Sequence, residues 1–260
     1  MDKTIIALRK GINLKLKNPV LVVGLPGVGS VGKLVVDHLI NESKAERIAS
    51  LYSPHFPHYV VMTRKGGVRL VSNRFYLKRV KGSGPDIVFL TGDFQSITPE
   101  GHYIINDKIV DFFKNKLKGK FIYTIGGYNI AQTIKEKPRV FGYASNEKVA
   151  KRLKGNDILF GESSGTIMGS AGLIIAFAKE KGVDAVCLMG ETTFMDVDAA
   201  GAKAVLAVLS KQLGLSTNTQ NLDKMIEKTK KAVRDIERQV AGAMQQSQET
   251  SLNEKPSYIR

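Results

Sequence analysis

The chain has 260 residues, of which 43% are hydrophobic, and a formal net charge of +15. That length supplies a core for one large α/β domain or two small ones, and the composition excludes a disordered or collagen-like chain. Cys187 is the only cysteine, so no internal disulfide can form, and a reducing, cytoplasmic setting is expected.

The first residues, MDKTIIALRKG, lack the apolar core of a signal peptide. The longest apolar stretch, residues 167–178, is interrupted by Gly169, Ser170 and Gly172. It is too short to span a bilayer, so no membrane partner is expected.

Apolar, β-branched runs then recur along the chain: VLVVG (20–24), RIASLYS (47–53), YVVMT (59–63), DIVFLTGD (86–93), KFIYTIGG (120–127) and DAVCLMGE (184–191). Helix-like periodicity fills residues 28–41, 99–116, 146–153, 167–181 and 198–213. Strands alternating with helices predict an α/β fold of three layers, with a mainly parallel sheet covered on both faces. Residues 59–80 interrupt that rhythm. VVMT, RKGG and VRLVSNRFYLKRV read as an antiparallel hairpin standing out from the main sheet.

Residues 1–215 are assigned to this core domain. Beyond it, NLDKMIEKTKKAVRDIERQV places Leu222, Met225 or Ile226, Thr229, Ala232 or Val233, Ile236 and Val240 on one stripe. Heptad-like spacing of this kind predicts an amphipathic helix over residues 216–243. Residues 244–260 are polar and read as a disordered, flexible tail ending in Tyr258, Ile259 and Arg260.

GVGSVG, residues 27–32, satisfies G-x-G-x-x-G between a strand and a helix, the setting of a dinucleotide loop. The second strand should then end in an acidic residue that binds ribose hydroxyls. It ends at Ser53, and Glu46 sits at its other end. Gly27, Gly32 and Lys33 also approach a P-loop, but Leu34 stands where a hydroxyl should ligate magnesium. Two readings stay open. The loop is a tight strand-to-helix turn, or it holds a phosphate on the exposed amides of the helix start. The failed fingerprints favour the turn.

If the strands before Asp93 and Glu191 run parallel to the first, both carboxylates share one sheet edge with Gly27, Gly29 and Gly32, beside Gln95, Gly126 and Gly127. Open α/β sheets bind ligands at that edge. Helix capping and backbone hydrogen bonding explain the same residues without a ligand.

GESSG resembles a nucleophile elbow at Ser163, but His38, His55, His58 and His102 all precede it, so no base follows in the usual order. His55 and His58 lack further metal-ligating neighbours, and Cys187 lies in an apolar strand that favours packing. No catalytic residue, metal or cofactor is expected. Arg64, Lys65, Arg69, Arg74, Lys78, Arg79 and Lys81 form a basic cluster with thin aromatic interleaving, which disfavours specific nucleic-acid binding.

GLPGVGSVGK, ERIASLYSPHFP, DIVFLTGDFQ, YTIGGY and CLMGET with its following Asp-Ala-Ala helix occur in one order between residues 18 and 215. Together they resemble the proteasome assembly chaperone 2 family, including its archaeal members. The resemblance implies a fold similar to the purine nucleoside phosphorylase type, around a mixed sheet. It implies a non-enzymatic role on proteasome α subunits or the core particle, in assembly or activation, and it implies homo-oligomers. Archaeal members of the family often carry a C-terminal hydrophobic–tyrosine–any tripeptide that docks between α subunits. Here Tyr258 stands third from the end, with Ile259 and Arg260 after it. The competing expectation is a phosphate- or nucleotide-binding enzyme or sensor built on the loop at residues 27–32.

Overall fold

The computed structural model describes residues 3–130, 137–162, 165–193 and 197–228. The chain divides into two units, with the boundary between Asn218 and Thr219.

The first unit is organised around a nine-stranded sheet. Its strands are β1 (Ile5–Leu8), β2 (Val20–Gly24), β3 (Glu46–Tyr52), β6 (Asn73–Lys78), β7 (Ile87–Gly92), β8 (Phe121–Asn129), β9 (Val140–Ala144), β10 (Leu159–Phe160) and β11 (Asp184–Thr192). They lie in the order β1-β3-β6-β7-β2-β8-β11-β9-β10. The four central strands β7, β2, β8 and β11 are mutually parallel. Antiparallel pairs flank them: β6 against β7, β3 against β6, β1 against β3, and β9 against β11.

Its helices, among the described residues, include α1 (Val31–Ser43), α2 (Pro99–Asp111), α3 (Glu147–Leu153), α4 (Ser170–Glu180) and α5 (Ala199–Leu213). α1 packs beside α5 on one face, and α2 beside α4 on the other. This covers both faces of the central strands. Every residue of β7 is therefore buried, the reason that strand reads as a continuous apolar run rather than an alternation. One core layer joins Leu21, Val23, Leu90 and Ile122 of the sheet to Ile105 and Ile109 of α2 and Ile174 of α4.

Local chemistry sets the helix starts. Thr98 caps α2 by accepting the Gly101 amide at 3.1 Å, with Pro99 at the first helical position. Asn146 accepts the Val149 amide at 3.0 Å, and Asp198 accepts those of Ala200 and Gly201, each at 2.9 Å. α2 runs on into a π-helical turn, Phe112–Lys116.

The excursion at residues 59–80 differs from its expected form. β4 (Val60–Met62) and β5 (Val68–Leu70) do make a separate two-stranded hairpin. The expected long return strand instead breaks at Val71 and Ser72, and its second half becomes β6 inside the main sheet. Pairing with β3 and β7 decides this, and it leaves Asn73, Phe75 and Leu77 buried on one side of β6 while Arg74, Tyr76 and Lys78 are partly open. The edge strands β1 and β10, and β9 between β11 and β10, carry too little apolar periodicity to be read from sequence.

In the second unit, residues 220–228 are helical. Thr219 Oγ1 donates to Asp223 Oδ2 at 3.0 Å at its start. Residues 216–219, expected to open this helix, are not helical, and the remainder of the predicted amphipathic helix from residue 229 and the tail lie outside the described residues. Among the described residues, no helix is long and apolar enough to cross a membrane.

Candidate functional site

The parallel register brings the ends of β7, β2, β8 and β11 to one edge of the sheet. Gly27, Gly29 and Gly32 follow β2, Asp93 follows β7, and Glu191 lies one residue before the end of β11. The sequence-predicted residues thus share an edge, and their contacts show what each one does there.

The glycine loop is closed against the protein itself. A Cβ on Gly24 would overlap the Gly32 carbonyl, one on Gly32 the Ile125 carbonyl, and one on Gly127 the Val28 carbonyl. Backbone therefore lies directly on backbone where α1 enters between β2 and β8. Gly29 has φ +60, and a side chain there would meet Thr192 Oγ1 at 2.9 Å. The loop carbonyls are also taken. Gly29 O accepts the Asp198 amide at 2.8 Å, Gly27 O accepts the Ser30 amide at 2.8 Å, and Pro26 O accepts Gln95 Nε2 at 2.6 Å.

Two charges near the loop oppose an anion. Lys33, the residue a P-loop would aim at phosphate, donates to Asp37 Oδ2 at 2.7 Å, and Thr91 Oγ1 donates to the other Asp37 oxygen at 2.6 Å. Asp198 is 4% exposed, with its Cβ 3.3 Å from where a Gly29 side chain would begin. A buried carboxylate so close to the loop repels a phosphate. Gln95 connects the edge instead: its amide N reaches Pro26, and its Oε1 accepts the Ser170 amide at 2.8 Å, tying the loop to the start of α4.

Asp93 is a clamp. Arg69 reaches it with two nitrogens, at 2.5 and 2.8 Å, and Arg74 Nη1 lies 2.9 Å from both oxygens. The Ser72 amide adds a bond of 3.1 Å. Burial would raise the Asp93 carboxyl, but hydrogen bonds from Arg69, the Ser72 amide and Arg74 outweigh it and hold it down at about 2. Glu191 is held in the same manner. Arg139 Nη2 donates to it at 2.6 Å and the Arg139 amide at 3.0 Å. The hydrogen bond from Arg139 lowers the Glu191 carboxyl against the opposing effect of burial. Sequence reading weighed backbone partners for these acids and missed the arginines. Arg74 lies 19 residues and Arg139 52 residues away along the chain, beyond any local spacing rule. The signal that could have found Arg74 is a lone guanidinium in a strand next to a buried one.

The remaining candidates disperse. His55 Nδ1 lies 2.9 Å from Thr98 Oγ1 at the start of α2. Among the described residues, no group of three His, Cys, Asp or Glu is placed to hold a metal ion. Of the basic cluster, Arg69 and Arg74 bind Asp93, Lys78 donates to the Ser43 carbonyl at 3.0 Å, and Arg79 donates to the Lys15 and Asn13 carbonyls at 3.0 and 2.5 Å. Arg64, Lys65 and Lys81 remain exposed. Ser163, Tyr258, Ile259 and Arg260 lie outside the described residues.

Cys187 is fully buried, and burial pushes its thiol up to about 11 against a lowering hydrogen bond with Thr124. Native protein at pH 8 should therefore react with a thiol reagent such as DTNB at least about 100-fold more slowly than unfolded protein, because thiolate and access are both lacking. Absorbance at 412 nm with and without denaturant checks this.

Comparison with known proteins places these observations. The model of the PAC2 family matches residues 21–237. Protein MJ1210 of Methanocaldococcus jannaschii is 36% identical over 223 residues, which cover 83% of this chain and 84% of that protein. The crystal structure of Pyrococcus furiosus PbaB, described as an archaeal proteasome activator, matches with a TM-score of 0.86 at 33% identity, over 91% of this chain and 100% of that one. Pyrococcus furiosus PbaA, described as an archaeal homolog of proteasome-assembly chaperone, matches with a TM-score of 0.76 at 24% identity, over 96% and 98% of the two chains.

Proposed function

The chain belongs to the PAC2 family, and from that premise we propose that it is a non-enzymatic proteasome chaperone or activator that binds the core particle or its α subunits. The observation that carries this reading is the likeness to PbaB over the whole of that chain at 33% identity. Local geometry supports it. Asp93, Glu191 and Lys33, the groups best placed to act on a ligand, are each engaged by another protein group. The phosphate-binding alternative is not favoured beside Asp198.

The tail carries the contact with the core particle. Tyr258 and Ile259 act as an apolar anchor, with Arg260 beside them. Identical copies assembled together present several tails at once, and their effective concentration multiplies a weak single contact. The lone, buried thiol suits a cytoplasmic setting.

The test measures binding of the intact protein to purified core particles, beside a version lacking Tyr258, Ile259 and Arg260. Intact protein is expected to bind with a Kd on the order of 10 μM or tighter, and the truncated form at least about tenfold more weakly. Equal binding by the two forms would move the interface to the folded body. Failure of both to bind would overturn the reading.

A further inference from the structure

The β4–β5 hairpin presents an aliphatic face to solvent. In its register Val60 opposes Leu70 and Met62 opposes Val68, while Val61 opposes Arg69. Residues alternate across a strand, so the first two pairs share one face and the third lies on the other. Val61 packs against the core, and Arg69 is fastened to Asp93. The outer face is 48% exposed at Val60, 85% at Met62, 67% at Val68 and 54% at Leu70. Tyr59 and Phe94 extend it at the base, their rings edge to face at 5.3 Å.

A two-stranded hairpin is marginal by itself. Here an arginine–carboxylate clamp and a core valine hold one face down, and the other is left with no charged side chain at its four in-register positions. At these exposures the six side chains offer on the order of 600 Å² of apolar surface, the upper end of what monomers leave open. With its rim the patch approaches the roughly 800 Å² that each partner gives a standard interface.

We propose that this face is where two copies of the chain join, outer face to outer face, about a two-fold axis. A flat aliphatic patch is its own complement, which is what an isologous contact requires. An acidic partner drawn by the net charge would find no cation at these four positions, because Arg69 is bound to Asp93 beneath and Arg64 and Lys65 stand at the turn. Antiparallel docking places Arg64 and Lys65 at the two turns far from one another and avoids like-charge repulsion. It also lays Met62 of one copy over the base of the other hairpin. A cleft of about 240 Å³ opens there, lined by Tyr52, Pro54, Phe56, Tyr59 and Leu70 among others, and Met62 is long and flexible enough to enter it.

The inference deepens the reading of the protein as an assembly of identical copies and needs no proteasome. The test is sedimentation equilibrium of the intact protein and of Met62→Glu/Val68→Lys. The paired substitutions place opposite charges across the hairpin and so retain cross-strand attraction. The expected result is self-association weakened at least tenfold in the variant, with an unchanged circular dichroism spectrum and melting temperature. An intact protein that associates, beside a folded variant that associates equally, overturns the hairpin interface and leaves the assembly standing. An intact protein that is monomeric overturns both. Should the variant misfold, hydrogen exchange on the intact protein decides: amides of residues 59–70 must gain protection as concentration rises, and constant protection there sinks the proposal.

Discussion

Gly32→Ala should destabilise the protein strongly, while Gly126→Ala and Gly27→Ala should fold and melt close to the parent. The added methyl at position 32 enters the Ile125 carbonyl, and both groups are backbone in packed elements, so neither can move aside cheaply. Overpacking of this kind costs about 3 kcal/mol, a large share of the roughly 5–15 kcal/mol that holds a domain together. At Gly126 the nearest atom is Met189 Cε at 3.5 Å, and at Gly27 it is Gln95 Nε2 at 3.5 Å. Each is the far end of a flexible side chain, so the change should stay within about 1 kcal/mol. Gly27 also has an extended backbone, φ −174, that any residue adopts. Urea denaturation of the three variants measures the contrast. Near-equal losses at all three positions would mean that packing on β8 is not what the glycines serve.

Asp93→Ala should destabilise the protein by about 3 kcal/mol, because it strands two guanidinium groups and an amide that now share one carboxylate. The Asp93 side chain is 11% exposed and that of Arg74 14%, so water replaces the lost partner poorly. Combining Asp93→Ala with Arg74→Ala should cost less than the sum of the two changes, since both remove the same interaction. The pH dependence follows from the lowered carboxyl. Asp93 titrates at about 2 when folded against an ordinary 3.8, so the unfolded chain takes up its proton first as pH falls. The contribution is complete above pH ~5 and disappears toward pH 2. Asp93→Asn should therefore differ most from the parent near neutrality, and the gap in denaturation midpoint should shrink between pH 5 and pH 2. A gap that stays constant over that range would show that the carboxylate charge is not what clamps β5 to the sheet.

The hairpin proposal depends on this clamp, since Arg69 sits on β5 opposite Val61 and turns the aliphatic face outward. Releasing Arg69 should loosen the docking face while the nine-stranded sheet stays whole.

Much of the architecture was legible in the sequence because it rests on local periodicity. Continuous apolar runs such as DIVFLTG and DAVCLMG announce strands buried on both faces. Helix starts were readable at Pro99, Asn146 and Asp198, where a short polar side chain or a proline precedes an apolar stripe. The mismatch of Leu34 with a P-loop was equally a matter of one side chain. The order of family motifs along the chain carried the resemblance that the comparison with PbaB bears out. Tertiary structure alone decided what sequence separation hides. That Gly32 lies on Ile125 and Gly127 on Val28 depends on how a helix crosses two strands. That Asp93 belongs to Arg69 and Arg74, and Glu191 to Arg139, depends on strand order, which no local pattern encodes. The break at Ser72 that sends β6 into the sheet is of the same kind, since an alternating strand suits an excursion as well as a sheet. Pairing with β3 and β7, and burial of Phe75 between them, settle its place.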